Sequence, residues 1–165
     1  MLLSCLLVFT CSEDNLDPRE GEVAFYLLQS YETTGDGVGI VPSSVITEEE
    51  PLIHYSDILS YNRNNYEFWI TENASQRLLS MDSPLVGRAF GLVANDELIY
   101  TGYFWPSYSS AVCMWVVIEP STLEIRNRMQ VKLGYPYSLP DTNIPDDRND
   151  ERILSIFLYD DKLIQ

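Results

Sequence analysis

The chain has 165 residues, 45% of them apolar and 12% aromatic, which is enough to bury one core. Its formal net charge is −15 at pH 7. Because nucleic-acid affinity comes mainly from Lys and Arg side chains that neutralise phosphates, this charge argues against DNA or RNA as partners. All of the charged side chains lie after residue 10.

The chain opens with an apolar run at residues 2–9. The run has the length of a signal-peptide core and is too short to cross a bilayer core of about 30 Å. It ends in residues 8–11 (VFTC), which resemble the lipobox of bacterial lipoproteins. The resemblance implies a signal peptide at residues 1–10 and a lipid anchor on Cys11. The alternative is that Cys5 and Cys11 are two ordinary buried cysteines.

An acidic segment follows the predicted anchor. Residues 12–15 (SEDN) resemble the signal that sends some Gram-negative lipoproteins to the outer cell surface. Residues 11–22 are therefore predicted to be an acidic tether, and residues 23–165 a single soluble domain. The expected location is the cell envelope, with the lipid in the outer membrane. Cys113 would be the one other cysteine of the mature chain, which leaves no intrachain disulfide and favours a buried, inert thiol.

The periodicity of the domain predicts an α+β fold. Thr71 is a candidate N-cap for a helix at residues 72–81, and residues 151–158 form a second amphipathic helix. Residues 95–97 (NDE) predict a hairpin turn, and residues 112–119 predict a central strand covered on both faces. We expect a mostly antiparallel sheet with one or two packed helices in two layers. Strands are predicted at residues 23–28, 66–70, 89–94, 98–103, 112–119 and 123–133, with a short strand at residues 45–46 and either a strand or a short turn at residues 57–61.

Residues 51–110 carry a resemblance to a known domain. Asp57-Ile58 precedes a strand, residues 70–74 (ITENA) open a helix, and residues 86–88 (VGR) lead into a hairpin. This order resembles the head of the first periplasmic domain of SecD, a subunit of the protein-export translocase. The resemblance implies a helix packed on an antiparallel sheet. It implies no translocase activity, because the sequence has none of that subunit's membrane helices.

Few residues suggest catalysis or cofactor binding. The chain has one histidine, His54, and no Gly-x-Ser-x-Gly motif, and its glycine-rich residues 35–39 lack the Lys-Ser/Thr of a phosphate loop. Residues 141–150 offer oxygen ligands without the spacing of a calcium loop, so they are predicted to cap the following helix. We expect no metal, nucleotide or other cofactor.

The candidate ligand-binding residues are Tyr103, Phe104, Trp105 and Tyr108, because aromatic rings on a loop present contact area at low entropy cost. The alternative is that Phe104 and Trp105 fold inward and close the core. The sequence therefore favours a non-catalytic domain that binds a protein or a glycan. An envelope hydrolase with a carboxylate pair and a structural subunit of an envelope complex are the two alternative functions.

Overall fold

The structure is a computed structural model that describes residues 16–35, 37–82, 84–137 and 143–165. Cys11 and the predicted signal peptide lie outside these ranges. Among the described residues, no helix has the length and apolar character needed to cross a membrane. The strands and helices of the described ranges are, in chain order, β1 (Val23–Ser30), β2 (Ile46–Thr47), β3 (Ile58–Asn62), β4 (Glu67–Ile70), α1 (Glu72–Leu79), β5 (Arg88–Ala94), β6 (Glu97–Phe104), β7 (Cys113–Ile118), α2 (Leu123–Arg126), β8 (Arg128–Tyr135), α3 (Glu151–Tyr159) and β9 (Leu163–Ile164).

The strands form one mixed sheet in the spatial order β2-β1-β5-β6-β7-β8-β4-β3-β9. Neighbouring strands are antiparallel except for β6 with β7 and β3 with β9. The predicted hairpin is confirmed: β5 and β6 are joined at Asn95 and Asp96, whose φ angles of 48° and 64° suit the tight turn that the strand twist favours. With α1 and α3 packed on the sheet, the α+β prediction is confirmed.

The contact between β6 and β7 is the seam of the sheet. It joins one half (β2, β1, β5 and β6) to the other half (β7, β8, β4, β3 and β9). Two residue pairs form it, Tyr103 opposite Val117 and Phe104 opposite Ile118. Beyond them, the backbone N–H of Trp105 donates to the Ile118 carbonyl at 2.8 Å. The seam is therefore short.

The main core lies between the sheet and the helices α1 and α3, and aromatic rings form its centre. The ring centroid of Phe68 is 4.4 Å from that of Tyr61, 5.1 Å from Phe25 and 6.0 Å from Phe157. Phe25 in turn lies 5.6 Å from Phe90. Such pairs each contribute about 0.5–1.5 kcal/mol beyond the area that they bury. Because Phe25 belongs to β1 and Phe68 to β4, the ring cluster connects both halves of the sheet.

A second, smaller core lies on the opposite face of the sheet. Tyr103 and Phe104 are consecutive in β6, so their side chains point to opposite faces, Phe104 into the main core and Tyr103 into the second one. The Tyr103 hydroxyl donates to the Val38 carbonyl at 3.0 Å, which holds the chain around Val38 over this face. Cys113 is buried here, and burial raises the pKa of its thiol to about 11, as expected of an inert cysteine.

Both predicted helix starts are confirmed. The Thr71 hydroxyl accepts the Ala74 N–H at 3.3 Å at the start of α1, and the Asp150 carboxylate accepts the Arg152 N–H at 2.9 Å at the start of α3. These side chains satisfy donors that the first turn of a helix leaves without a partner. The acidic segment before α3 thus caps that helix, as predicted.

Two strand predictions are wrong in part. Residues 123–133 were expected to form one strand, but α2 occupies the first four, and Asn127 then turns the chain with a φ of 46° before β8 begins. Asn adopts this left-handed backbone more readily than most residues, so it can end the helix and start the strand. β7 was expected to be covered on both faces, yet Met114 near its start is 39% exposed, where the pairing with β8 is irregular between Cys113 and Val116.

Residues 16–22, expected to be part of a tether, lie against the domain and are called here the N-terminal strap. Leu16 packs against the main core, and the Arg19 N–H donates to the Ser155 carbonyl of α3 at 3.1 Å. At its end, the Glu22 N–H donates to the Asn95 side chain at 2.9 Å, and the Asn95 N–H donates back to the Glu22 carbonyl at 3.0 Å. The strap is therefore fixed to α3 and to the β5–β6 turn.

The seam predicts a severe effect of Gly102→Ala. A Cβ at Gly102 would lie 2.6 Å from the Phe90 ring and 2.8 Å from the Val116 carbonyl oxygen across the seam. We expect the variant to lose about 3 kcal/mol of unfolding free energy in urea, because the backbone of β7 cannot move without opening the seam. Gly35→Ala is the matched control, since a Cβ there meets nothing within 4 Å. Equal stability of the two variants would contradict the seam.

Candidate functional site

The structure separates the four aromatic residues that the sequence grouped as a ligand-binding surface. Tyr103, Phe104 and Trp105 are buried, and Tyr108 is 67% exposed. The inward orientation of Phe104 and Trp105, weighed above as the alternative, is thus the arrangement that the structure has. Three of the four rings are not available for stacking on a ligand. A ligand contact at this segment stays a prediction, and of the four it concerns Tyr108.

The backbone of the turn that carries Tyr108 is held on several sides. The Ser109 N–H donates to the Pro106 carbonyl at 3.0 Å, and the Ala111 N–H to the Ser109 hydroxyl at 3.2 Å. From β8, the Tyr135 hydroxyl donates to the carbonyl of the residue before Tyr108 at 3.0 Å. Tyr108 is therefore presented from a fixed turn, which lowers the entropy that its ordering on a ligand would cost.

This turn forms one wall of a cleft of about 330 Å³, called here the Tyr108 cleft. The end of α1 and the residues just after it form the second wall, and the turn after β7 forms the third. By exposed area the walls are about half polar and half apolar, and the described lining residues include one carboxylate, two serine hydroxyls and no cation. The lining residues are Leu78, Leu79, Met81, Asp82, Pro106, Ser107, Tyr108, Pro120 and Ser121.

Two exposed aliphatic side chains lie near the same end of the sheet. Leu85 and Val86 are 65% and 64% exposed. They directly precede Gly87, where a Cβ would lie 2.8 Å from the Phe104 carbonyl oxygen, so this loop runs closely along the end of β6. Sequence reasoning missed Leu85 and Val86, because nothing local in the sequence distinguishes an exposed aliphatic pair after a helix from a buried one.

Asp57 fixes the direction of α1 and with it the second wall of the cleft. Its carboxylate accepts the His54 N–H at 3.1 Å and the Thr71 hydroxyl at 3.0 Å, and it pairs with Arg77 in the last turn of α1. Partial burial acts to raise the pKa of Asp57, but these hydrogen bonds and the Arg77 charge outweigh it and hold the pKa below its usual range. His54 contributes its backbone to this contact, so the contact does not orient the imidazole as a catalytic relay requires.

A carboxylate-lined groove lies on the sheet face opposite the helices. Tyr26 and the side chains of Glu48, Glu49 and Asp96 line its main part, of about 520 Å³. A neighbouring hollow of about 250 Å³ adds Glu22 and shares Tyr26 and Asp96 with it. A hydrolase that uses two carboxylates needs a groove of this kind, and the hydrolase alternative stays a prediction.

Three carboxyls outside this groove have lowered pKa values, which is the wrong direction for acid catalysis. Hydrogen bonds from Arg148 and Arg152 lower the pKa values of Asp146 and Asp150, respectively. Asp57 is lowered as well. A general acid that works near neutral pH needs a raised pKa. These three carboxylates are therefore structural anion partners of arginines.

Arg148 holds the acidic segment before α3 in place. Its guanidinium lies 3.5 Å over the Tyr66 ring, donates to both oxygens of Asp146 at 2.7 Å and reaches the Val131 carbonyl at 3.1 Å. The Tyr61 hydroxyl donates to the Arg148 carbonyl at 2.8 Å. The carboxylate of Asp146 is therefore paired with the guanidinium of Arg148. Within the described ranges, no group of three or more His, Cys, Asp or Glu side chains could hold a metal ion.

Comparison of the chain with protein-family models, with curated proteins and with solved structures finds no match. The similarities to the lipobox of bacterial lipoproteins and to the SecD head domain rest on the sequence features described above and stay predictions.

Proposed function

We propose that this chain is a lipid-anchored protein of the bacterial cell envelope whose domain binds a partner protein at the Tyr108 cleft and catalyses no reaction. The observation that carries the proposal is the exposure of Leu85, Val86 and Tyr108 at one end of the sheet, where Tyr108 lines a cleft. Large exposed apolar side chains that group together mark interaction surfaces more often than chance exposure does.

The composition of this surface favours a protein over a glycan as the ligand. Sugars are held by aromatic rings together with many polar groups, whereas the cleft offers one exposed ring, and its neighbours Leu85 and Val86 are aliphatic. Tyrosine is one of the residues that are enriched at the centre of protein interfaces. The net charge of −15 further disfavours nucleic acid.

The proposal predicts that a photo-reactive side chain at position 108 forms a discrete protein adduct in the intact envelope. The same group at Tyr159, which is also exposed but lies at the end of α3, serves as the control. Once the partner is identified and purified, Tyr108→Ala should weaken its binding about tenfold, a typical effect of removing a central aromatic contact. Tyr159→Ala should leave the affinity unchanged.

Other results would favour the alternatives. Equal crosslinking from both positions would contradict a docking site at the cleft. A change in tryptophan fluorescence on titration with purified envelope glycans, lost in Tyr108→Ala, would replace the protein partner by a glycan. An adduct with a subunit of a large envelope complex would support the structural role.

The proposed location makes a separate prediction. Mass spectrometry of the protein from its membrane fraction should find Cys11 as the first residue, carrying an acyl-modified thiol. Cys11→Ala should release the protein from the membrane, because a single thiol carries the whole anchor. Retention of residues 1–10 without any acyl group would contradict the proposed location, and it would leave the binding proposal at Tyr108 intact.

A further inference from the structure

One half of the sheet carries exposed apolar side chains on the face opposite the helices. On β4, Phe68 and Ile70 belong to the main core, so Trp69 between them points to the opposite face, where it is 37% exposed. On β9, Leu163 packs against the main core, and the next residue, Ile164, is 38% exposed. The outward side of these two strands is therefore partly apolar.

β3 lies between β4 and β9 and adds a third apolar side chain. Its pairing with β4 is irregular between Ile58 and Ser60, so Leu59 and Ser60 together stand opposite Trp69. Leu59 is 55% exposed. Three neighbouring strands thus contribute one exposed apolar side chain each. The outward side of β8, β4, β3 and β9 is called here the Trp69 face.

β8 contributes an arginine that stacks on the tryptophan. Arg128 lies directly opposite Trp69 in the strand pairing, with its guanidinium carbon 3.9 Å from the centroid of the ring. The same guanidinium lies 3.6 Å from the Glu67 carboxylate. Trp and Arg are among the residues on which the affinity of protein interfaces most often depends, and a pair that is ordered beforehand loses less entropy on binding. The Trp69 face therefore has the composition of a protein interface.

The Trp69 face is electrically neutral, although the chain carries a net charge of −15. The charged side chains that β4 and β8 direct away from the main core are Glu67, Arg128 and Lys132. Lys132 pairs with Glu119, so these four charges cancel. The other half of the same sheet face has the carboxylate-lined groove, whose described lining residues include no cation. The two halves of this face therefore differ in charge.

From this pattern we propose that the Trp69 face binds a second copy of this chain about a two-fold axis. Two chains of charge −15 repel each other where their carboxylates meet, so a neutral face is the surface through which they approach at the lowest cost. The two-fold axis places the same residues on both sides of the contact, and the Trp69 ring of each copy covers apolar side chains of the other. A cationic partner would favour the carboxylate-lined groove instead.

This inference goes beyond the proposed function, because it involves neither the lipid anchor nor the Tyr108 cleft. The four strands of the face span about 14 Å from the first to the last. An interface of this width is small, so we expect a dissociation constant in the micromolar range.

Matched substitutions test the inference by sedimentation equilibrium of the full chain, under reducing conditions that prevent disulfide bonds between copies. Leu59 and Ile46 are both 55% exposed, but Ile46 belongs to β2, at the other edge of the sheet. Leu59→Glu places a carboxylate on each side of the contact and should raise the dissociation constant of the dimer at least about tenfold. Ile46→Glu adds the same charge and should leave this constant unchanged.

A second measurement follows Trp69 in the unaltered chain. Trp69 is the most exposed of the three tryptophans, since Trp105 is buried and Trp115 is partly buried. Acrylamide quenching of the tryptophan emission should therefore decrease as the chain concentration rises, with the same midpoint as the sedimentation curve. Trp69→Phe should remove this dependence on concentration.

Salt tests the charge argument. Raising the NaCl concentration should strengthen the dimer, because salt screens the repulsion between two acidic chains. A dimer that salt weakens would overturn the inference, as would a dimer that Leu59→Glu leaves intact. A chain that stays monomeric at hundreds of micromolar would also overturn it. If a soluble envelope glycan then shielded Trp69 of that monomer from acrylamide, the face would be a glycan surface instead.

Discussion

The two halves of this sheet meet along a contact of two residue pairs between the parallel strands β6 and β7. The path of the chain after β6 and the position of the Tyr108 cleft are related to that contact. Parallel neighbours require the chain to return along the whole length of a strand, and such connections usually take a dozen residues or more. Here residues 105–112 make the return, so the segment crosses in a nearly direct path. The first residue of this segment, Trp105, lies buried against the sheet. Tyr108, in the turn that follows, is exposed.

Two of the three walls of the Tyr108 cleft follow strands that this contact joins. The turn with Tyr108 follows the end of β6, and the turn with Pro120 follows the end of β7. The last residues of these two strands, Phe104 and Ile118, pair with each other. The third wall, the end of α1, is held in direction by Asp57 at the other side of the helix. The cleft is thus built on strand and helix ends that long-range packing holds, which suits a preorganised binding surface.

The features that sequence reasoning predicted well are those set by neighbours in the chain. The caps at Thr71 and Asp150 and the turn at Asn95 each depend on a few adjacent residues and on general backbone preferences. The mixture of strands and helices follows from periodicity in the same way. These local rules give the α+β class and most element positions.

What the sequence could not predict depends on partners far away along the chain. Whether Trp105 points inward is decided by its hydrogen bond to Ile118 and by the second core, neither of which leaves a local signal. The docking of the strap depends on Ser155, more than a hundred positions after Arg19. The cleft joins α1 to two turns that lie about 30 and 40 residues later, so its residues could not be grouped by reading along the chain.

The most direct test of this account is native-state hydrogen exchange of the Trp105 backbone amide. Its N–H donates to Ile118 at the seam, in a segment that resembles an exposed aromatic loop when read from the sequence alone. If the seam holds the sheet together, this amide exchanges only on global unfolding, with the same protection free energy as the central amides of β5. Exchange at the rate of a solvent-exposed loop would show that the two halves are not joined there, and the Tyr108 cleft would lose the framework that positions it.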